Sequence, residues 1–142
     1  MKLKFIKSMN KFTKIIDVLE SHLDNLKHVN NVQYLFWAQE VAKSHWSFLI
    51  KDLKQTTGIW MVRHHDVTYK SGSFLGDKIE ITTYIKYARG PLSFRIVDFH
   101  NKENGKLLVK VSTKWCYLDN LVGRNVIPIP ELIKKLFYLK IK

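Results

Sequence analysis

Asp24, Asn25, Lys27, His28, Asn30 and Asn31 crowd together in LDNLKHVNNVQYLFWAQE (23–40), immediately before the chain turns apolar. An asparagine at a helix start accepts backbone N–H groups, and that role accounts for Asn30 and Asn31. It leaves Asp24 and His28 unexplained. A helix N-terminus also offers free N–H groups and a partial positive charge, which suit an oxyanion developing on a carbonyl. Asp24 beside such an end could act as a general base or as a nucleophile toward an acyl group. For His28 the sequence leaves three roles open: proton carrier, oxyanion donor or loop former.

The other chemically capable residues carry less. Cys116 sits in an apolar strand-like run, where a free cysteine packs as a small hydrophobe. His64, His65 and Asp66 are adjacent, but neighbouring strand residues point to opposite faces and do not converge on a metal. Trp37, Trp46, Trp60 and Trp115 read as core or interface residues. No phosphate-binding glycine loop, dinucleotide fingerprint, serine elbow or zinc-type cysteine set is present. No metal and no cofactor are expected.

The elements that must position the polar cluster follow from periodicity. A first strand is expected over Lys11–His22. The long helical candidate runs from about Asn31 to Leu53, with Gly58 as its stop. Its apolar residues cover so much of the circumference that burial on several sides is expected. Strands follow at 59–70, 77–88, 92–100 and 107–119, broken by turns at Gly72 and Gly76, at Arg89-Gly90-Pro91 and at NKENGK. In the second of these, Ile79, Ile81, Thr83, Ile85 and Tyr87 are expected on one face. A short helix begins near IPELIKKLF, with Pro130 in its first turn. One helix with an antiparallel sheet to cover it is an α+β architecture, here in a single domain spanning 1–142.

Twenty-four basic residues against 12 acidic give a formal charge of +12 over 142 residues. That excess attracts an anionic partner, but only four of the basic residues are arginines. No clustered Arg/aromatic groove appears, so nucleic-acid binding is not expected. Lysines concentrate at both chain ends, and the first residues lack the apolar core and cleavage site of a signal peptide. No run approaches the ~20 apolar residues of a transmembrane helix. A single cysteine excludes an internal disulfide and agrees with a reducing, cytoplasmic setting.

The segment DNLKHVNNVQYLFWAQE resembles the signature of hotdog-fold acyl thioesterases, especially the His-Val-Asn-Asn-Val-x-Tyr-x-x-Trp-x-x-Glu stretch of acyl-acyl-carrier-protein thioesterases. VRHHDVTY, GDKIEITTYI and GKLLVKVSTKWCYLD extend the similarity over most of the chain. The resemblance implies an antiparallel sheet wrapped around one long central helix, and sites at the interface of a homodimer or homotetramer. It implies hydrolysis of a fatty acyl-CoA or acyl-carrier-protein thioester, with non-catalytic acyl binding as the alternative. Asp24 matches the acidic base or nucleophile, while His28, Asn30 and Asn31 match the loop and helix start at the carbonyl. Glu40 matches the helix acid. Arg89 and Arg124, with Arg95, are candidates to hold the phosphates of a CoA or phosphopantetheine tail. Lys27 stands where the acyl-CoA members have glycine, and Leu26 where the carrier-protein enzymes have asparagine.

Overall fold

Ile79, Ile81, Thr83 and Ile85 alternate with polar neighbours, and a period of two turns all four toward one side of a strand. This strand, β3 (Lys78–Arg89), belongs to a five-stranded sheet of order β1-β3-β4-β5-β2. The others are β1 (Phe12–Asp17), β2 (Ile59–Tyr69), β4 (Leu92–Asn101) and β5 (Leu107–Leu118), and every pairing is antiparallel. The computed structural model describes residues 8–55, 58–120 and 124–138. Most of the lysine-rich chain ends, and Thr56 and Thr57, lie outside the described residues.

One long helix, α1 (Asn31–Leu49), lies against the inner face of the sheet. Tyr34, Trp37, Ala38, Val41, His45 and Leu49 recur at helical spacing and form its buried stripe. Tyr34 meets Trp37 and Phe99 edge-on at centroid distances of 5.6 and 5.3 Å, which locks the first half of the helix to β4. A second cluster under the helix C-terminus joins Leu49, Ile85 and Tyr117 to Ile133 of the short α2 (Glu131–Leu136). This is the α+β hotdog arrangement, a sheet around one central helix. Among the described residues no helix is long and apolar enough to cross a membrane.

Five expectations need correction. The first strand stops at Asp17 because β3 begins at Lys78, its ladder partner, and a 3-10 turn at Glu20–His22 follows. The helix ends at Leu49 rather than Leu53, since residues 50–53 close into tight turns with Lys51 N–H donating to the Phe48 carbonyl and Leu53 N–H to that of Ile50. Gly58 is therefore no helix stop. It lies at the start of β2, where a Cβ would come within 2.3 Å of the Leu118 carbonyl oxygen. Tyr87 leaves the face of Ile85 because the register shifts between them, and it is 45% exposed.

The helix is also buried on one side only in a single chain. Val32 and Phe36 of its apolar set are 69% and 57% exposed. The edge strand β2, eleven residues long, pairs only with β5 on one side.

Candidate active site

The polar cluster folds into a tight loop in front of α1. Asp24 Oδ1 accepts the N–H groups of Leu26 (2.9 Å) and His28 (3.3 Å), and the Asp24 N–H donates to the His28 carbonyl (2.8 Å). The turn requires a left-handed residue at Lys27, with φ of 65°. That explains why a glycine suits this position, and it shows that the lysine preserves the same backbone path at a steric cost. His28 packs edge-on against Phe74, with centroids 5.2 Å apart. Two backbone bonds pin the loop to the body: Val29 N–H to the Ser73 carbonyl and Asn30 N–H to the His22 carbonyl, each 2.9 Å.

Asn30 is the N-cap, its side-chain oxygen accepting the Val32 N–H at 3.0 Å. The Gln33 N–H donates to the Asn30 carbonyl. Of the first-turn donors, the Asn31 N–H has no hydrogen-bond partner among the described residues. The Tyr69 hydroxyl donates to the Asn31 carbonyl (3.0 Å), which ties the helix start to the end of β2. Asp24, His28, Asn31, Tyr34 and Tyr69 line one open cavity of about 380 Å³. Burial pushes the Tyr34 phenol upward, with the Ser73 hydroxyl beside it working the other way. The cavity is thus bordered by the loop that holds Asp24 and by the first residue of α1.

The remaining predicted residues lie elsewhere in the chain. Glu40 is nine residues beyond Asn31, roughly 13 Å along the helix axis, and faces Lys43 at 3.6 Å. Arg89 ends β3 and Arg124 follows β5, both exposed and at the sheet end opposite the Asp24 loop. His64 and His65 flank no metal group: among the described residues no cluster of three or more His, Cys, Asp or Glu is close enough to hold an ion. Cys116 is buried, as an apolar strand implies.

Sequence reasoning underrated Arg95 and missed His45. Arg95 is only 4% exposed and faces the helix, where its Nη1 donates to His45 Nδ1 and to Thr83 Oγ1, each at 2.9 Å. Burial lowers its pKa to about 10, which leaves it charged at neutral pH. Burial first and the Arg95 charge second push His45 down from 6.5 to about 3. The pair is therefore a cation beside a neutral imidazole. The signal was present: Ser93, Arg95, Val97 and Phe99 alternate on β4, and His45 falls four residues after Val41.

The model of the thioesterase-like superfamily matches residues 18–137. No curated protein matches the sequence. Among solved structures, a predicted thioesterase from Bacillus stearothermophilus is similar at a TM-score of 0.77 and 21% identity, covering 90% of this chain and 94% of that one. A 1,4-dihydroxy-2-naphthoyl-CoA thioesterase from Synechocystis gives 0.76 and 18%, covering 90% and 96%. A thioesterase from Thermus thermophilus, complexed with coenzyme A and Zn, gives 0.74 and 23%, covering 88% and 90%.

Relieving the left-handed lysine with Lys27→Gly is expected to raise stability by roughly 0.5–1 kcal/mol, read from urea midpoints; an unchanged or lower midpoint contradicts the strain. A second prediction concerns acid. Because His45 has a lower pKa folded than unfolded, its contribution is complete above pH 6.5 and is lost as pH falls toward 3. The loss approaches ~1.4 kcal/mol per pH unit for one proton. His45→Asn, which keeps an acceptor for Arg95, is expected to flatten the stability profile between pH 6.5 and 4.5; parallel profiles would refute the assignment.

Proposed function

Because the chain belongs to the thioesterase-like superfamily, we propose that it is a thioester hydrolase releasing a free acid and a thiol from an acyl-CoA. The observation that carries this is the convergence of Asp24, His28 and Asn31 on one cavity at the start of α1. The thioester carbonyl oxygen accepts the Asn31 N–H, with the helix end favouring the negative charge that develops there. Asp24 takes a proton from water as the water attacks the carbonyl, or attacks the carbonyl itself. In the first route the C–S bond breaks and the thiolate takes back the proton held by Asp24. In the second the C–S bond breaks to leave an acyl–Asp24 anhydride, which water hydrolyses to the free acid and the restored carboxylate, the proton released going to the thiolate. His28 borders the same space and serves as a polar contact to the acyl or pantetheine portion. The CoA-bound and naphthoyl-CoA relatives support CoA as the carrier, and the basic surface suits its phosphates. Acyl-carrier protein is the alternative carrier, supported by the likeness to a 12:0-acyl-carrier-protein thioesterase from Umbellularia californica.

The functional unit we propose is a homodimer, or a tetramer built from it. Its support is the eleven-residue free edge of β2 together with Val32 and Phe36 exposed on α1. Two β2 edges pairing antiparallel about a two-fold would bring the Asp24 end of one copy beside the Arg89 and Arg124 end of the other. Glu40 and the arginines then complete the site as residues of a second copy.

Two measurements test these readings. Asp24→Asn keeps an oxygen for the Leu26 and His28 N–H groups, so it should melt near the parent temperature while losing ~10²–10⁴ in kcat on acyl-CoAs. Full activity in that variant, or no hydrolysis of any acyl-CoA or acyl-carrier-protein by the parent, rejects the mechanism or the activity respectively. Sedimentation equilibrium should give a dimer or tetramer, and a monomer at micromolar concentration would reject the assembly.

A further inference from the structure

A second cavity, of about 230 Å³, lies under the C-terminal half of α1. That is many times the ~10–15 Å³ one water needs. Trp46 of α1, Trp60 of β2, Trp115 of β5 and Ile85 of β3 give it apolar walls, while Ser93 and Arg95 of β4 supply polar groups. The exposed Lys43 of α1, already paired with Glu40 at 3.6 Å, stands at its rim. Trp46 and Trp60 meet edge-on at 5.5 Å, so the aromatic wall is continuous.

The charge balance of this cavity is unusual. All 12 Asp and Glu residues of the chain fall among the described residues, and none forms an ion pair with Arg95. Both hydrogen bonds of Arg95 leave from Nη1; Nη2 and Nε have no protein partner among the described residues and, unlike Trp115 Nε1, are not sealed from solvent. His45 cannot compensate, because its Nδ1 serves as a neutral acceptor. Trp115 adds a buried Nε1–H that also lacks a partner. Burying a cation with no anion is costly, and the polar groups present are mostly donors. The complementary occupant brings acceptors and negative charge on an apolar body.

We infer that this cavity is a subsite for a carboxylate carried on a hydrocarbon chain, the far end of the acyl group being its source, and that Arg95 is the residue selecting it. This rests on the thioesterase reading. Within one chain the cavity is fifteen residues of helix beyond Asn31, roughly 22 Å along the axis. Across antiparallel β2 edges it lies at the end of the sheet that adjoins the Asp24 loop of the other copy. An acyl group held at that loop would therefore extend toward Arg95, and a terminal carboxylate would meet it there.

Two arms separate this inference from the hydrolase reading. The first measures binding alone, by tryptophan fluorescence and calorimetry, with hexanoate against hexanol. Hexanoate is expected to bind about tenfold or more tightly to the parent, as a charge-assisted hydrogen bond allows. Arg95→Met should erase the difference, and Arg95→Lys, which keeps the charge, should retain part of it and guards against misfolding. The second arm compares kcat/KM for adipoyl-CoA and hexanoyl-CoA. The parent should prefer adipoyl-CoA, and Arg95→Met should reverse the order. Equal binding of acid and alcohol by the parent overturns the subsite even if thioesters are hydrolysed. Carboxylate-selective binding without any turnover upholds the subsite and removes the hydrolase reading. Selective binding with no preference for adipoyl-CoA overturns the acyl group as the carboxylate's source.

Discussion

Everything in this fold depends on one seating: the buried stripe of α1 against the inner face of the sheet. Tyr34 and Trp37 sit edge-on among their neighbours, with Phe99 beneath them, and Val41 and Ala38 close the contact. Each large apolar side chain buried here contributes about 1.5–3 kcal/mol, so the stripe fixes both the rotation of the helix and its position along the sheet. With those two quantities set, the helix start must lie beside Tyr69 and Ser73, and its second half must roof the space above Arg95. The two polar regions are consequences of one apolar contact.

Those regions differ in how their polar groups are satisfied. At the helix start, the Asp24 carboxylate is held by backbone N–H groups of its own loop, and the loop is anchored by two further backbone bonds. Its geometry is set locally, and the strain at Lys27 is part of what sets it. Beneath the second half of the helix, Arg95 relies on groups from two other elements, His45 and Thr83, and still keeps donors to spare. A low local dielectric makes that shortfall expensive and any matching anion correspondingly welcome.

The polar loop was legible because its chemistry is local. Asparagine before an apolar helix signals a cap, and the resemblance carried by DNLKHVNN placed Asp24 upstream of it. The last four strands were legible from alternation, to within a residue or two at their ends. Where reading failed, a long-range contact intervened. The ladder with β3 ended the first strand early, and a bulge after Ile85 turned Tyr87 to the opposite face. Gly58 looked like a helix stop, yet the close approach of β5 is what requires it. Arg95 was read as a surface or phosphate-binding residue because an arginine's composition-level prior is exposure, although its strand parity with Val97 and Phe99 pointed inward.

By itself the sequence determined the element types, the α+β class, the capped helix start and the acid beside it, since these follow from periodicity and from side chains bonding within a few residues. Only the tertiary structure decided that Asp24, His28 and Asn31 share a cavity while Glu40, Arg89 and Arg124 lie away from it. It also decided that His45 stays neutral beside a buried, unpaired arginine. Burial and electrostatic pairing join groups some fifty residues apart in the chain, as with His45 and Arg95, and local pattern holds no record of which distant residue will be the neighbour.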